Sequence, residues 1–292
     1  MNINVQDMFI LKRIEKGDFK MVDLKKDLEE TKNVIHGKTS KNYGKIYLHS
    51  NELLKGIIPK LKLNNKKVLT ILGSSDQVFH FYNGGAEKVD AIDINRLAIH
   101  YFYLRKWTIQ YLNQYYPDED MSLDYIRKVL SKTVVHSKEE EDSLHYWYSF
   151  VNEMEKENTD NLYNSGDNYS INRLYNFSTL RDKLSNVDIK LFNQNLFGDL
   201  FIDGKYDVIF TSNIADYAAP TRENFEKYRD NLDSLLSDNG IIISSNVLRS
   251  RPTMIERKVF SEKFESAKFP IVDSEYIDCS PATVYMRKSS MK

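Results

Sequence analysis

The sequence predicts an α/β fold with a doubly wound, mostly parallel sheet, because short apolar runs rich in β-forming residues alternate with amphipathic segments. The runs Val68–Leu72 and Val89–Ile94 flank a short helix-compatible segment and suit strands buried on both faces. Tyr206–Asn213 and Ile241–Asn246 repeat this pattern around an amphipathic helix. Strands that are connected through helices in this way are expected to run parallel.

The remaining elements complete the predicted sheet. Val187 to Phe192 is expected to form a further strand, and the amphipathic helix before Ile241 is expected to stop at Asp238-Asn239-Gly240. The segment "ERKVFSEKFESAKF" is predicted to be helical. Two closing strands are expected near "IVDSEYID" and "ATVYMRK". Because these strands are close in sequence, they favour an antiparallel hairpin at the sheet edge.

Three regions are expected along the chain. Residues 1–65 read as an N-terminal helical region, and residues 66–292 as the sheet domain. Within the sheet domain, strand–helix alternation stops from about 116 to 185, where the sequence is polar, helical and aromatic. We interpret this stretch as a helical insertion. Its aromatic residues Tyr146 and Trp147 are expected to fill the core of a small subdomain, with a lid over the ligand as the alternative.

Composition excludes several classes of function. The 292 residues carry a net charge of -1, so nucleic acid is not an expected partner. Cys279 is the sole cysteine and the six histidines show no metal-ligand spacing, so neither an internal disulfide nor a metal site is expected. The N-terminal sequence lacks an apolar stretch suited to a signal peptide or membrane span. We therefore expect a cytoplasmic protein without membrane insertion.

Chemistry is expected at a glycine turn after the first strand. Gly73 ends that strand, where the lack of a side chain lets a ligand approach the backbone. Ser74 and Ser75 offer hydroxyl donors, and Asp76 offers a carboxylate. Asp93 ends the second strand, twenty positions after Gly73, where an acid typically meets the hydroxyls of an adenosine ribose. The competing interpretation makes Asp76 a helix N-cap and Asp93 a loop acid.

The position of Asp76 limits the classes of ligand that the turn can bind. In dinucleotide-binding proteins a pyrophosphate lies on the helix N-terminus that follows this turn. A carboxylate at Asp76 would repel such a phosphate and would favour an ammonium. The expected ligand therefore carries an adenosine and a positive charge but no phosphate. S-adenosylmethionine (SAM) fits this description, and NAD is disfavoured.

The segments "VLTILGSSD", "VDAIDIN", "YDVIFTSNIADY" and "DNGIIISSN" resemble the class I SAM-dependent methyltransferases. The resemblance covers Lys66 to the C-terminus without the insertion, and it implies a Rossmann-like sheet with a reversed last strand. Ser75 and Gln77 depart from it, since they stand where the family has its second and third glycines. The cofactor-binding residues that the resemblance implies are Gly73, Ser74, Ser75, Asp76, Asp93, Ile94, Asn195, Ser212 and Asn213, with Asn195 beside the adenine.

Two further segments carry candidate residues for the substrate. "TSNIADY" follows the strand that begins at Tyr206, and in the resembling family this position faces the transferred group. Asp216 and Tyr217 are the catalytic candidates there, with Asp216 as a possible proton acceptor. "VLRSRP" follows the next strand, and its Arg249 and Arg251 are candidates for holding a substrate carboxylate or phosphate. The alternatives are a polar loop and solvated arginines.

The predicted function is a SAM-dependent transferase, with methyl transfer to a small-molecule acceptor preferred. In-line attack on the sulfonium carbon mainly requires orientation and desolvation, so the acceptor cannot be identified from a motif. "GSSDQ" and "AIDINRLAIHYFYLRKW" are also similar to 3-amino-3-carboxypropyl transferases, which use another part of SAM. A non-catalytic module that binds an adenosine ligand is the alternative from another class. The sequence predicts no oligomeric state.

Overall fold

The computed structural model describes residues 21–35, 46–47, 50, 52, 54–112, 137–156, 163–164, 177–245, 251–268 and 282–288. The chain divides into two compact units. The first unit contains Met1–Leu48 and Asn95–Ser165, and the second contains His49–Ile94 and Gly166–Lys292. All of the predicted site residues belong to the second unit. The predicted division at residues 65 and 66 stays a prediction.

The helices and strands are numbered here in chain order across both units. The helices are α1 (Met21–Ile35), α2 (Leu54–Ile57), α3 (Asp76–Asn83), α4 (Arg96–Trp107), α5 (Lys138–Glu155), α6 (Phe177–Leu184), α7 (Arg222–Leu235) and α8 (Arg251–Phe260). The strands are β1 (Ile46–Tyr47), β2 (Lys67–Ile71), β3 (Lys88–Asp93), β4 (Tyr163–Asn164), β5 (Leu191–Asn193), β6 (Tyr206–Ser212), β7 (Leu236–Ser244), β8 (Phe264–Lys268) and β9 (Thr283–Arg287).

The second unit is built on a seven-stranded sheet in the order β5-β3-β2-β6-β7-β9-β8. The order proceeds outward from β2 in both directions, which is the doubly wound arrangement predicted from the sequence. Strand β9 runs antiparallel to both β7 and β8, whereas the pairs from β5 to β7 are parallel. The chain reverses its winding direction between β2 and β6. Ligands of such sheets bind at this switch point, outside the carboxyl ends of the strands.

The central strands are buried on both faces, as their continuous apolar runs predict. Consecutive residues Val68 and Leu69 of β2 are both inaccessible to solvent. Asp90 is a buried acid of β3, and it is compensated by the Tyr206 hydroxyl at 2.9 Å and by Lys88 at 3.2 Å. Near the β9 end of the sheet, aromatic rings pack in the core, with the tilted rings of Phe260 and Tyr285 having centroids 4.8 Å apart. This burial fixes the strand ends that carry the site.

The first unit contains α1, α4 and α5 and the parallel pair β1–β4. Asn95 caps α4 by accepting a hydrogen bond from the Leu97 N–H at 3.1 Å, as predicted. The rings of Tyr101 and Trp147 lie 5.7 Å apart, and both side chains are fully buried. Trp147 thus belongs to a helical core, which is the interpretation favoured from the sequence.

Several predicted boundaries were wrong. Strand β5 begins at Leu191 rather than Val187, because it is a partly exposed edge strand and not a strand buried on both faces. Helix α7 ends at Leu235, before the predicted stop at Asp238, because Leu236 already pairs with Tyr206.

The closing hairpin also differs from its prediction. Strand β8 lies at Phe264–Lys268, inside the segment predicted to be helical, because its residues pair with β9 from Phe264↔Arg287 to Lys268↔Thr283. The predicted strand at "IVDSEYID" lies outside the described residues. The reversed strand in "ATVYMRK" is confirmed as β9.

Within the described part of the chain, none of the helices combines the length and the apolar character needed to cross a membrane.

Candidate functional site

The turn after β2 is closed by a short hydrogen bond from the Ser75 N–H to the Leu72 carbonyl, at 2.7 Å. Gly73 has a φ of +51° and Ser75 a φ of +74°, so both residues adopt left-handed backbone conformations. Glycine accepts this conformation freely, whereas serine does so at a cost in free energy. Strain retained in a turn at the switch point of the sheet is typical of a functional site.

A hydrogen bond from its glycine ties the turn to the end of β3. The Gly73 N–H donates to Oδ2 of Asp93 at 2.9 Å, and both residues are only partly buried. Gly73 and Asp93, predicted from their spacing to share a ligand, are therefore in direct contact; we call them the outer pair. Ile94, the next predicted binding residue, is 42% exposed at the same strand end.

Asn193, at the end of β5, was missed in the sequence. Its amide Nδ2 donates to the carbonyls of Asp93 and Ile94, at 3.0 Å each, and so fixes the backbone beside the outer pair. The predicted adenine residue Asn195 is exposed, and its Oδ1 accepts the Phe197 N–H at 3.0 Å. Its contact with a ligand stays a prediction. The register of β5 on β3, which brings Asn193 to Asp93, is not encoded in a local pattern.

Asp76 is fully buried at the other side of the turn. Its Oδ2 accepts the Ser50 N–H at 2.6 Å and the Ser74 hydroxyl at 3.0 Å. Asp76 is the first residue of α3, and the capping position is taken by Ser75, which makes no side-chain capping bond. The alternative interpretation of Asp76 as a simple helix cap is therefore wrong.

Glu52 is a second buried carboxyl group beside Asp76, and sequence reasoning missed it. It accepts hydrogen bonds from the hydroxyls of Ser50 and Ser212 and from Nε2 of Gln77, the last at 2.8 Å. Ser212 is the last residue of β6, 160 positions from Glu52. No sequence signal predicts a contact at that separation. We call Ser50, Glu52, Ser74, Asp76, Gln77 and Ser212 the inner cluster.

The electrostatics of the inner cluster are dominated by its two acids. Burial raises the pKa of the Glu52 carboxyl above its ordinary value, and the nearby charge of Asp76 adds to this rise. Hydrogen bonds from Ser212, Ser50 and Gln77 oppose the increase. The named hydrogen bonds to both carboxyls come from neutral donors, namely hydroxyls, an amide and a backbone N–H.

The predicted catalytic residues lie in a 3₁₀ turn after β6. Ser212 has a φ of +55°, and the turn is closed by a hydrogen bond from the Asp216 N–H to the Asn213 carbonyl at 3.0 Å. The half-buried Asp216 accepts the Thr253 hydroxyl at 2.7 Å. Tyr217 is 47% exposed. The structure thus gives Asp216 an orientation fixed by Thr253, in the turn that follows β6.

The predicted substrate arginines are not characterised in the structure. Arg249 lies outside the described residues, and Arg251 is the first residue of α8, with its side chain outside the description. Their role stays a prediction.

Glu256, on α8, is a further buried carboxyl group that the sequence analysis did not identify. Burial raises its pKa from 4.5 to about 7; a hydrogen bond with Ser244 and the charge of Arg257 oppose the rise, and the charge of Asp216 adds to it. The described residues contain no group of three or more histidine, cysteine, aspartate or glutamate side chains placed to hold a metal ion.

No protein-family model matches the sequence, and no curated protein matches it. Solved structures with a similar fold include the ribosomal protein L11 methylase from Lactobacillus delbrueckii subsp. bulgaricus (16% identity, 81% of this chain and 77% of that chain, TM-score 0.42). The N-methyltransferase NodS from Bradyrhizobium japonicum WM9, in complex with S-adenosyl-L-homocysteine, is 8% identical over 81% of this chain and 84% of its own, with a TM-score of 0.42.

The glycopeptide N-methyltransferase MtfA, complexed with SAM, is 9% identical over 83% of this chain and 97% of its own, with a TM-score of 0.43. The fold itself is established by the strand order and directions of the second unit, with its reversed strand β9. They are those of the Rossmann-like methyltransferase fold. The predicted resemblance is confirmed as a likeness of fold.

Proposed function

We propose that the second unit binds SAM and transfers its methyl group to a small-molecule acceptor. The observation that carries the proposal is the outer pair, in which the Gly73 N–H contacts the Asp93 carboxylate at 2.9 Å at the switch point of the sheet. A carboxylate at this place is suited to accept the two hydroxyls of an adenosine ribose. Gly73 leaves the backbone open to the ligand because it carries no side chain.

The buried acid on the other side of the turn supports SAM over a dinucleotide. Asp76 lies at the first position of α3, where a pyrophosphate would otherwise be held by the helix N-terminus. Its full burial strengthens the repulsion of a phosphate, since screening by water is lost. A ligand that carries an ammonium and no phosphate meets the opposite, favourable electrostatics.

SAM, when bound, supplies a methyl group on a sulfonium that a nucleophile can attack in line. The residues of this chain would orient the acceptor and remove water from it. Asp216, oriented by Thr253 at 2.7 Å, is the candidate that accepts the proton released by the acceptor. Tyr217 would contact the acceptor from the exposed rim of the 3₁₀ turn.

Calorimetric titration with SAM and with NAD tests the proposal. We expect micromolar SAM binding and no NAD binding, and we expect Asp93→Ala to weaken SAM binding by about a hundredfold or more, as for the loss of hydrogen bonds to a charged group. Asp203→Ala, which removes an exposed acid of the same unit, is the matched control and should bind SAM normally. A folded wild-type protein that does not bind SAM would refute the proposal.

The reaction is tested by the by-product that accumulates with an acceptor panel. S-adenosylhomocysteine is the by-product of methyl transfer, and methylthioadenosine is that of 3-amino-3-carboxypropyl transfer. We expect S-adenosylhomocysteine. Accumulation of methylthioadenosine would show that the protein transfers the 3-amino-3-carboxypropyl group and not the methyl group. SAM binding without any consumption of SAM would identify a non-catalytic binding module.

A further inference from the structure

Helix α8 carries a buried acid behind the 3₁₀ turn that contains Asp216. The helix packs against this turn, and its Thr253, which is 3% exposed, donates its hydroxyl to Oδ1 of Asp216 at 2.7 Å. Glu256 follows Thr253 by three residues, so both lie on the same face of α8, and Glu256 is inaccessible to solvent. The buried acid therefore lies one helical turn from the residue that orients the candidate proton acceptor.

The neighbouring strand ends place Glu256 on the ligand side of the sheet. Its carboxyl group lies beside Ser244, the last residue of β7. Ser244 pairs with Ser212, the last residue of β6, and the Ser245 N–H donates to the Ser212 carbonyl at 2.8 Å. The turn that contains Asp216 begins two residues after Ser212. Glu256 is thus at the carboxyl edge of the parallel strands, where ligands of such sheets bind.

The surroundings of Glu256 favour its protonated form. Tyr228 of α7 and Tyr285 of β9 are fully buried beside it, and burial raises the pKa of both phenols, so they stay neutral. The Tyr285 hydroxyl has no hydrogen-bond partner among the described residues. Two described charges act on Glu256, namely Arg257 and Asp216. Arg257 is exposed on α8, so water screens its charge more than that of a buried group.

Glu256 and Asp216 are electrostatically coupled. Burial raises the pKa of Glu256 to about 7, and the charge of Asp216 adds to this rise. Coupling between two sites is reciprocal, so an ionised Glu256 opposes the negative charge of Asp216 by the same free energy. A proton that reaches Asp216 is therefore held more strongly when Glu256 is ionised.

We propose that Glu256 is a positioning residue for proton transfer, whose ionised form makes Asp216 a stronger proton acceptor. This inference rests on the proposed function and adds to it the group that sets the pH dependence of the reaction. In that reaction the acceptor gains the methyl group and loses one proton to Asp216, while sulfur keeps the electron pair of the broken bond. The transfer thus removes the negative charge that an ionised Glu256 opposes. An acid that only packed α8 would affect stability but not the pH dependence of transfer.

The coupling is tested without any ligand by following the side-chain carboxyl carbon of Glu256 by NMR in protein labelled with ¹³C. The signal is assigned through the backbone, and its pH titration is recorded in the wild-type protein and in Asp216→Asn, which carries no charge at this position. We expect a wild-type midpoint near 7 and a midpoint lower by about half a pH unit or more in Asp216→Asn. Asp203→Asn, which removes an exposed acid of the same unit, should leave the midpoint unchanged.

The role in transfer is tested by the pH profile of kcat, measured with the acceptor of the panel that gives the most S-adenosylhomocysteine. We expect the wild-type kcat to rise with pH through about 7, where Glu256 ionises. Glu256→Gln should lose this rise, keep its KM for the acceptor, and have a kcat lower by about twofold or more above pH 8. Glu265→Gln, an exposed glutamate of β8, should retain the wild-type profile.

Two results would overturn the proposed role of Glu256. The first is a Glu256 titration that is the same in the wild-type protein and in Asp216→Asn, because the two acids would then be uncoupled. The second is a rise of kcat near pH 7 that persists in Glu256→Gln. A folded protein that binds no SAM would refute the proposed function, and with it any role in transfer, while the NMR titration would still decide whether the two acids are coupled.

Discussion

The two sides of the Gly73 turn differ in burial and in hydrogen bonding. The outer pair is partly exposed, and its acid Asp93 accepts the Gly73 N–H at the end of β3. In the inner cluster, Asp76 and Glu52 are buried; Asp76 accepts the Ser50 N–H and Glu52 accepts Nε2 of Gln77. Hydroxyls can be recognised at a wet edge, whereas an ammonium gains most from a carboxylate in a low-dielectric environment. Together with the proposed SAM binding, this contrast predicts that adenosine and amino acid recognition are separable in this site.

The largest expected effect comes from Glu256, a buried acid outside the inner cluster, and it concerns stability and not ligand binding. Glu256 is as buried as Glu52 but lies on α8, outside the inner cluster. Its pKa is about 7 in the folded protein against an ordinary value of 4.5, so the folded state keeps a proton that the unfolded state has lost. The free energy of unfolding should therefore fall by about 3 kcal/mol as the pH rises from 4.5 through 7.

Glu256→Gln should remove this pH dependence without weakening SAM binding. Denaturant unfolding at several pH values checks the first part, and calorimetry checks the second. Glu265→Gln, an exposed glutamate on β8, is the control. An unchanged pH dependence in Glu256→Gln would show that its burial is not what limits stability, and weakened binding would extend the ligand site to α8.

The next effect concerns the backbone of the Gly73 turn, which carries both the outer pair and the inner cluster. Ser75→Gly should raise the free energy of unfolding by about 1 kcal/mol, because glycine relieves the cost of a φ of +74°. Gly73→Ala should lower it by about 1–2 kcal/mol, because alanine meets that cost at a φ of +51°. Thermal and denaturant unfolding measure both. If both variants changed the free energy of unfolding in the same direction, the interpretation of the turn as strained would be wrong.

The smallest expected effect concerns the backbone beside the outer pair. Asn193→Ala should weaken SAM binding by about threefold to tenfold, since it removes two partly solvated hydrogen bonds that fix the backbone of Asp93 and Ile94. Asn195→Ala serves as the comparison in the same calorimetric assay. If only Asn195→Ala weakened binding, the adenine contact predicted from the sequence would be correct and the positioning role of Asn193 would be wrong.

The outer pair could be predicted from the sequence, whereas only part of the inner cluster could: Ser74, Asp76 and Ser212 were candidates, and Ser50 and Glu52 were not. Two buried strands, a glycine at the end of the first and an acid at the end of the second form a local pattern that places Gly73 beside Asp93. Glu52 has no such pattern, because its contact with Ser212 joins segments 160 positions apart. The same reason explains strand β8, whose residues look helical and become a strand only by pairing with β9.

The separation of the two sides is tested most directly by titrating adenosine and SAM into wild-type protein, Asp93→Ala and Asp76→Asn. We expect Asp93→Ala to lose affinity for both ligands. We expect Asp76→Asn to weaken SAM binding by about tenfold or more and to leave adenosine binding unchanged. Equal loss of both ligands in Asp76→Asn would contradict the account, because the buried acid would then support the whole turn and recognise no separate part of the ligand.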